Sequence, residues 1–511
     1  MSRTIFSGTW LLALALLASC ERNQIAPPRA TLPAVPRGEV TWLDPETSST
    51  WSGSEKPYFL FLFSSRSYWS REMVRESFTV PAVVREIERV TRPVWIDADL
   101  RPDLVARYAL GALPSLAILT PDLKWITGTT FMEREDMSAL LRRIRILYGV
   151  AGRRKDLERE RGRLLRQRPL RVARFAYTHS LSELSAALFD SIRLSDVGIR
   201  SSESQLLLVE GGEDSGQADW VEMHAGPGRV NDDGLFVASL LSDDGRIRDE
   251  TTSLGHNAGL LYTLARIAKV TQDDALEHSA YELALAIAAC LYDVDGEAFI
   301  SGTADFSFPD SNGIAQPVVA VPSLLDARSI TAWNALAVSA FCEVDRIRPD
   351  QRLRSIAKRT LNRLLERRVR NNEVWRTDPG RTTLQLEDAA HLIRACLDYA
   401  DLTGDDPYYA DAIALANHTI DAIPDVSGEM TDVTPTSPLA MIGVDGDFGS
   451  SAGVLAQSLV RLYMRDGNER YAERAESFCR RAIAANVERQ ARLGALGRAL
   501  RQLSEIRKSS K

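Results

Sequence analysis

The chain has 511 residues, 45% of them hydrophobic and 26% charged, with a formal net charge of −7. That length provides for two or three globular domains, and that apolar content excludes an intrinsically disordered chain. The acidic balance removes any global electrostatic pull toward nucleic acid or an anionic membrane surface, which leaves small ligands and proteins as partners.

Taken in chain order, Arg3 is followed by an apolar run from Trp10 to Ala18 that is too short to span a bilayer and reads as a secretory signal peptide over residues 1–19. Its end, Leu17-Ala18-Ser19-Cys20, resembles a bacterial lipoprotein signal. The resemblance implies a diacylated Cys20, a mature protein held at the membrane by lipid on the periplasmic side, and, with Glu21 after the cysteine, the outer membrane. Residues 20–40, with prolines at 27, 28, 33 and 36, form an expected spacer. The other cysteines, Cys290, Cys342, Cys396 and Cys479, sit in apolar helical patterns without a Cys-x-x-Cys pair and read as buried free thiols.

Residues 41–150 carry apolar runs of strand length at Lys56–Phe63, Val94–Asp97, Leu116–Thr120 and around Trp125–Thr127. Helical stretches at Trp69–Phe78, Pro102–Leu110 and Met137–Leu147 separate or follow them, which predicts one small α/β domain. The segment Ser67-Tyr-Trp-Ser70-Arg-Glu-Met-Val-Arg-Glu-Ser-Phe78, with Asp97, Arg101-Pro-Asp103, Leu113-Pro114 and Gly128-Thr-Thr-Phe131, resembles the thioredoxin-like domain of the spermatogenesis-associated protein 20 family. In that family two cysteines stand where this chain has Ser67 and Ser70, and Pro114 resembles the cis-proline facing the active pair. A serine hydroxyl cannot form a mixed disulfide, so the resemblance implies a scaffold without redox chemistry. Ser67 and Ser70 are expected to cap the first helical turn, and Tyr68 and Trp69 are either core or a contact face for the barrel or an envelope protein.

Residues 151–230 are read as a basic connecting segment and barrel entry, opening with a dense charged run from Arg153 to Arg174 that predicts a solvated helix or, as the alternative, a basic patch on anionic lipid headgroups near the anchor. From 231 to 490 amphipathic stretches recur in pairs, broken by polar turns at Asp273-Asp274, Pro349-Asp350, Asp405-Asp406 and Gly467-Asn468. Each pair is a helical hairpin that must stack on its neighbours, into either an open solenoid or a closed toroid. Residues 491–511 read as a basic C-terminal tail.

Asp326-Ala-Arg328-Ser-Ile-Thr-Ala-Trp333-Asn334-Ala-Leu336 and Leu386-Glu387-Asp388-Ala-Ala390 resemble stretches of the same family's six-hairpin, glycosidase-like barrel. The fold implied is therefore multidomain, an α/β thioredoxin-like domain followed by an all-α (α/α)6 toroid. In such a barrel Asp326, Glu387, Asp388 and His256 are the candidate catalytic groups, since hydrolysis or epimerisation of a sugar needs paired acid and base. Trp333 is either a sugar-stacking platform or core, and Asn334 and Asn257 either meet ligand hydroxyls or bond backbone. Acidic residues at helix starts are equally explained by capping.

Departures from the family weigh more than the matches. Its Pro-His-Phe-Glu-Lys-Met-Leu-Tyr-Asp-Asn motif is Arg248-Asp-Glu-Thr-Thr-Ser-Leu-Gly-His256-Asn257 here, and its Phe-His-Arg-Tyr-Ser is Phe236-Val-Ala-Ser239. No metal-ligand spacing and no glycine-rich phosphate loop is present, so neither metal nor cofactor is expected. The expectation is an exported, lipid-anchored protein whose barrel binds a carbohydrate-like or cell-envelope ligand with weak or no catalysis. The alternatives are a residual sugar enzyme and a scaffold for an envelope protein.

Overall fold

The computed structural model describes residues 31–52, 55–149, 176–213, 216–226, 229–240, 248–304, 324–377, 382–423, 446 and 449–509. Cys20, the signal segment and the Arg153–Arg174 run lie outside them.

Strand β1 (Tyr58–Phe63) is buried along its whole length, which is why it reads as an unbroken apolar run rather than an alternation. It pairs in parallel with β2 (Arg92–Asp97) and antiparallel with β3 (Ser115–Leu119), and β4 (Trp125–Thr129) completes a sheet of order β2-β1-β3-β4. Helix α1 (Tyr68–Met73), a π-turn over Val74–Phe78 and α2 (Pro81–Val90) join β1 to β2. Helix α3 (Pro102–Tyr108) joins β2 to β3, and α4 (Arg134–Gly149) follows β4. Proline opens both α2 and α3, where its missing N–H and fixed φ cost nothing. Phe59, Phe61 and Phe63 pack with Trp42, Phe78 and Trp95 on one face, and Tyr58, Leu60 and Leu62 with Ile96, Leu104 and Tyr108 on the other. The Leu113–Pro114 peptide is cis.

Residues 31–40 do not act as a free spacer. Thr31 forms a parallel bridge with Leu325, Leu32 N–H donates to the Leu325 carbonyl at 2.7 Å, and Arg71 donates to the carbonyls of Pro33 and Ala34. Val35 and Val40 are buried against the sheet. At Gly38, with φ of +66°, a Cβ would fall 2.4 Å from the Phe78 carbonyl oxygen, so glycine is what lets the segment lie this close.

The remainder is a closed ring. Six inner helices, α6 (Ser202–Glu210), α8 (Leu254–Thr271), α10 (Thr331–Ile347), α12 (Leu386–Thr403), α14 (Ser451–Asp466) and α16 (Gly494–Ser509), pack each on the next, and α16 packs on α6. Outside them lie α5 (Leu181–Arg193), α7 (Gln217–Ala225), α9 (Asp274–Cys290), α11 (Gln351–Arg368), α13 (Asp406–Ala422) and α15 (Glu469–Ala485). This is an (α/α)6 toroid. Asp273, Asp350 and Asn468 cap the outer helices with their side chains, as the polar turns predict.

Two boundaries move. The ring begins with the whole of α5, inside the stretch read as connector and barrel entry, and it ends with α16, inside the stretch read as a tail. The basic residues of α16 disguised a core helix, because Leu496, Ala499, Leu500 and Leu503 face the ring while Arg498 is buried on carboxylates. Closure needs small residues: a Cβ on Gly494 would sit 2.0 Å from the Ser204 nitrogen.

A second sheet crowns the N-terminal ends of the inner helices, built from β5 (Val237–Leu240), β6 (Arg248–Ser253), β9 (Gly302–Ala304) and β10 (Leu324–Asp326) in the order β10-β9-β6-β5. Between β6 and β9 the hairpin of β7 (Tyr292–Asp293) and β8 (Ala298–Phe299) follows α9.

Candidate functional site

The carboxylates singled out in the sequence all lie at this crowned mouth, and the α/β domain sits on top of them. Asp326 ends β10 rather than starting a helix. Its carboxylate accepts from Ser65 Oγ at 3.1 Å, Arg66 Nη1 at 3.1 Å, and Arg328 Nε and Nη2 at 2.8 and 2.6 Å. Arg328 also reaches Asp97 at 2.8 Å and Asp99 at 2.6 Å, and Arg66 lies 3.3 Å from Asp99. Two arginines thus tie the end of β2 and the loop after β1 to the end of β10.

A second tie lies beside the first. Arg376, 1% exposed, donates through Nε to the Asp99 carbonyl and through Nη1 to Glu387 at 2.6 Å and both oxygens of Asp388 at 3.2 Å. Asp388 also accepts from the Ala332 N–H at 2.8 Å, at the N-terminus of α10, where a carboxylate suits the helix dipole. A third tie is Glu46, which takes Arg101 at 3.2 Å and the backbone N–H and Oγ1 of Thr383 at 2.5 and 2.7 Å.

Burial sets the electrostatics. It pushes Asp97 up to about 6, with Arg328 opposing and Asp99 adding, and it pushes Asp388 up to about 6, with Arg376 opposing and Glu387 adding. Burial acts the same way on Asp326, but Arg328 and Arg66 outweigh it and hold that carboxyl below the usual range.

The remaining residues divide. Trp333, 6% exposed, lies under the Arg66 guanidinium, 5.1 Å from ring centre to carbon, so its face is already taken. Asn334 Oδ1 accepts from the Phe299 N–H and its Nδ2 donates to the carbonyls of Phe299 and Ile330. Asn257 makes the same three bonds to Phe236 and Ser253. The two asparagines therefore clamp β8 and the residue before β5 to the fourth residue of an inner helix. His256 is half-buried in the first turn of α8.

In the α/β domain, Ser67 Oγ accepts from the Ser70 N–H at 3.2 Å and donates to the Leu113 carbonyl at 3.3 Å, beside Pro114. Ser70 Oγ accepts from the Ser64 N–H at 3.3 Å. The pair thus works as a cap and a loop tie. Trp69 is 43% exposed and packs edge-on against Tyr68 and Phe131. Cys342, Cys396 and Cys479 are buried and Cys290 is half-buried, and none of the four forms a disulfide among the described residues. Among the described residues no group of three His, Cys, Asp or Glu side chains is placed to hold a metal ion.

Sequence reasoning missed Arg66, Asp99 and Arg376 as members of this cluster. Only Asp326-Ala-Arg328 carried a local signal, a carboxylate and an arginine two residues apart; the other partners are up to 277 residues distant.

The class of protein defined by this geometry is an (α/α)6 toroid whose mouth is covered by a small α/β domain. No family model matches the chain. The uncharacterized protein B0495.5 of Caenorhabditis elegans is 31% identical over 96 residues, which are 17% of this chain and 13% of that protein. Among solved structures, the chain is similar to a D-mannose isomerase (TM-score 0.38, 14% identity, 50% of this chain and 66% of that one). It is similar also to a GH76 α-mannanase of Bacteroides thetaiotaomicron (TM-score 0.43, 13% identity, 61% and 86%). A cellobiose 2-epimerase of Bacillus thermoamylovorans matches with TM-score 0.41 and 13% identity over 55% of this chain and 74% of that one.

Proposed function

We propose that this chain is an exported protein, anchored through lipid on Cys20, in which a redox-inactive thioredoxin-like domain caps a barrel that binds a carbohydrate-like or cell-envelope ligand without turning it over. We place it with the spermatogenesis-associated protein 20 family as a divergent member. The strand order β2-β1-β3-β4, the helices between the strands, the cis Leu113–Pro114 peptide and Ser67 and Ser70 at the start of α1 support the reading of the first domain.

The observation that carries the absence of turnover is the commitment of Asp326 to Arg66 and Arg328. A general acid must hold a proton near neutral pH, and a carboxylate held low by two guanidinium groups does not. Asp388 has a suitable range but is fully buried beneath Arg376 and the Ala332 N–H.

The test is to incubate the full chain with D-mannose, α-mannan and cellobiose, followed by NMR, alongside thermal-shift binding of amino sugars, neutral oligosaccharides and peptidoglycan fragments. Binding without product is expected, because ligands of the native state raise Tm by mass action. Product formation that disappears in Asp326→Asn or Glu387→Gln would restore the enzyme reading. Exposure of Trp69 favours the scaffold as second reading; photo-cross-linking from position 69 in envelope preparations that captures no defined protein would remove it.

A further inference from the structure

The opposite end of the toroid is not capped by the α/β domain. There five of the inner helices, α8, α10, α12, α14 and α16, line a cavity of about 220 Å3 that reaches from mid-helix toward the uncapped end, room for several waters or one small solute. Its wall is ionic. Arg266 pairs with Glu210 and Glu343, Arg346 with Glu343, and Arg461 with Asp398 and Asp401. Deeper in, Arg498 pairs with Glu203 and Glu210, and Arg394 lies 3.5 Å from Glu203 with its guanidinium 4.6 Å above the Tyr262 ring.

Two features go beyond a self-neutralising plug. First, those five carboxylates face the five arginines together with Lys269, an exposed lysine on the rim for which no ion pair is shown among the described residues, so the wall carries surplus positive charge. The helix dipoles account for Lys269 and Arg346 in last turns, but not for Arg394 and Arg498 in mid-helix. Secondly, polar atoms on the wall are left without partners. Glu343, 2% exposed, uses Oε1 for both its arginines and leaves Oε2 free; Arg394, 2% exposed, leaves Nε free; Gln502 leaves Oε1 free. A polar atom shielded from bulk solvent in this way is destabilising unless something occupies the space before it.

Free acceptors on Glu343 and Gln502 match hydroxyl donors. A free donor on Arg394 and the charge of Lys269 match an acid group. We propose that this cavity binds a small hydroxylated acid, one carboxylate or phosphate on a chain or ring of hydroxyls. The inference rests on the reading of the barrel as a binding module and adds where it binds and what.

The experiment is calorimetry on the full chain with D-gluconate and glycerol 3-phosphate, against D-glucose and acetate at matched ionic strength. Binding of at least one hydroxy acid is expected, weakened tenfold or more in Lys269→Met and in Gln502→Leu and unchanged in Lys358→Met, on the exposed face of an outer helix. Which of the two acids binds distinguishes carboxylate from phosphate. No binding of either acid, equal binding of glucose, equal binding of acetate, or binding untouched by both cavity variants would overturn the site. Binding of glucose alone would remove this site while leaving a saccharide-binding barrel in place.

Discussion

At the scale of single residues, Ser67 and Ser70 decide the chemistry of the first domain. They keep the geometry of a helix start but supply only hydroxyls. If the first domain is redox-inactive as proposed, the double variant Ser67→Cys/Ser70→Cys is expected to reduce insulin disulfides at least tenfold faster than wild type, since helix N-termini lower thiol pKa values. A double variant that forms no internal disulfide under oxidation would show that the loop no longer holds the two positions in reach. Asp97 gives a second prediction. Its folded-state pKa, about 6, exceeds its unfolded value, so the native state holds a proton that the unfolded chain releases, and stability from this group falls as pH rises through that window. The Tm difference between wild type and Asp97→Asn is therefore expected to widen in favour of wild type by a few degrees from pH 7 to pH 5. Titrating groups that do not interact with Asp97 cancel in that difference, and a difference flat with pH would contradict the assignment.

At the scale of elements, the two asparagine clamps show one solution used twice. Asn257 holds the residue before β5, and Asn334 holds β8, each by that segment's own backbone N–H and carbonyl. Asn334→Leu strands both partners of Phe299 and is expected to cost about 2–4 kcal/mol in urea unfolding; a change below 0.5 kcal/mol would mean water replaces the amide freely. The hairpins α8–α9 through α14–α15 were legible because their helices carry apolar residues at helical spacing and end at polar turns. Helix α16 was not, because its inward residues are interleaved with arginines whose partners, Glu203 and Glu210, lie nearly 300 residues earlier. Strand β1 was legible for the opposite reason: burial on both faces leaves an apolar run that length alone separates from a helix.

At the scale of the molecule, the joint between the domains is ionic. Arg328 is its centre, touching Asp97, Asp99 and Asp326. Removing it leaves three carboxylates facing one another in a poorly solvated space, so Arg328→Ala is expected to lower stability by about 3–5 kcal/mol. Hydrogen exchange should rise at the β1–α1 loop and at β10 together, and exchange confined to one side would show that the domains do not depend on this contact. Site residues could be nominated from sequence, because Asp326, Glu387 and Asp388 sit in recognisable local patterns. Their use could not, because it is written in contacts between segments that only the folded chain brings together.

The stitch of Thr31 and Leu32 onto Leu325 has a consequence for orientation at a bilayer. With lipid on Cys20, eleven peptide units separate the anchor from the stitch, a leash of at most about 40 Å. The capped end of the toroid would then be the end tethered near the headgroups, and the cavity would open away from them, toward whatever solutes diffuse through the aqueous compartment.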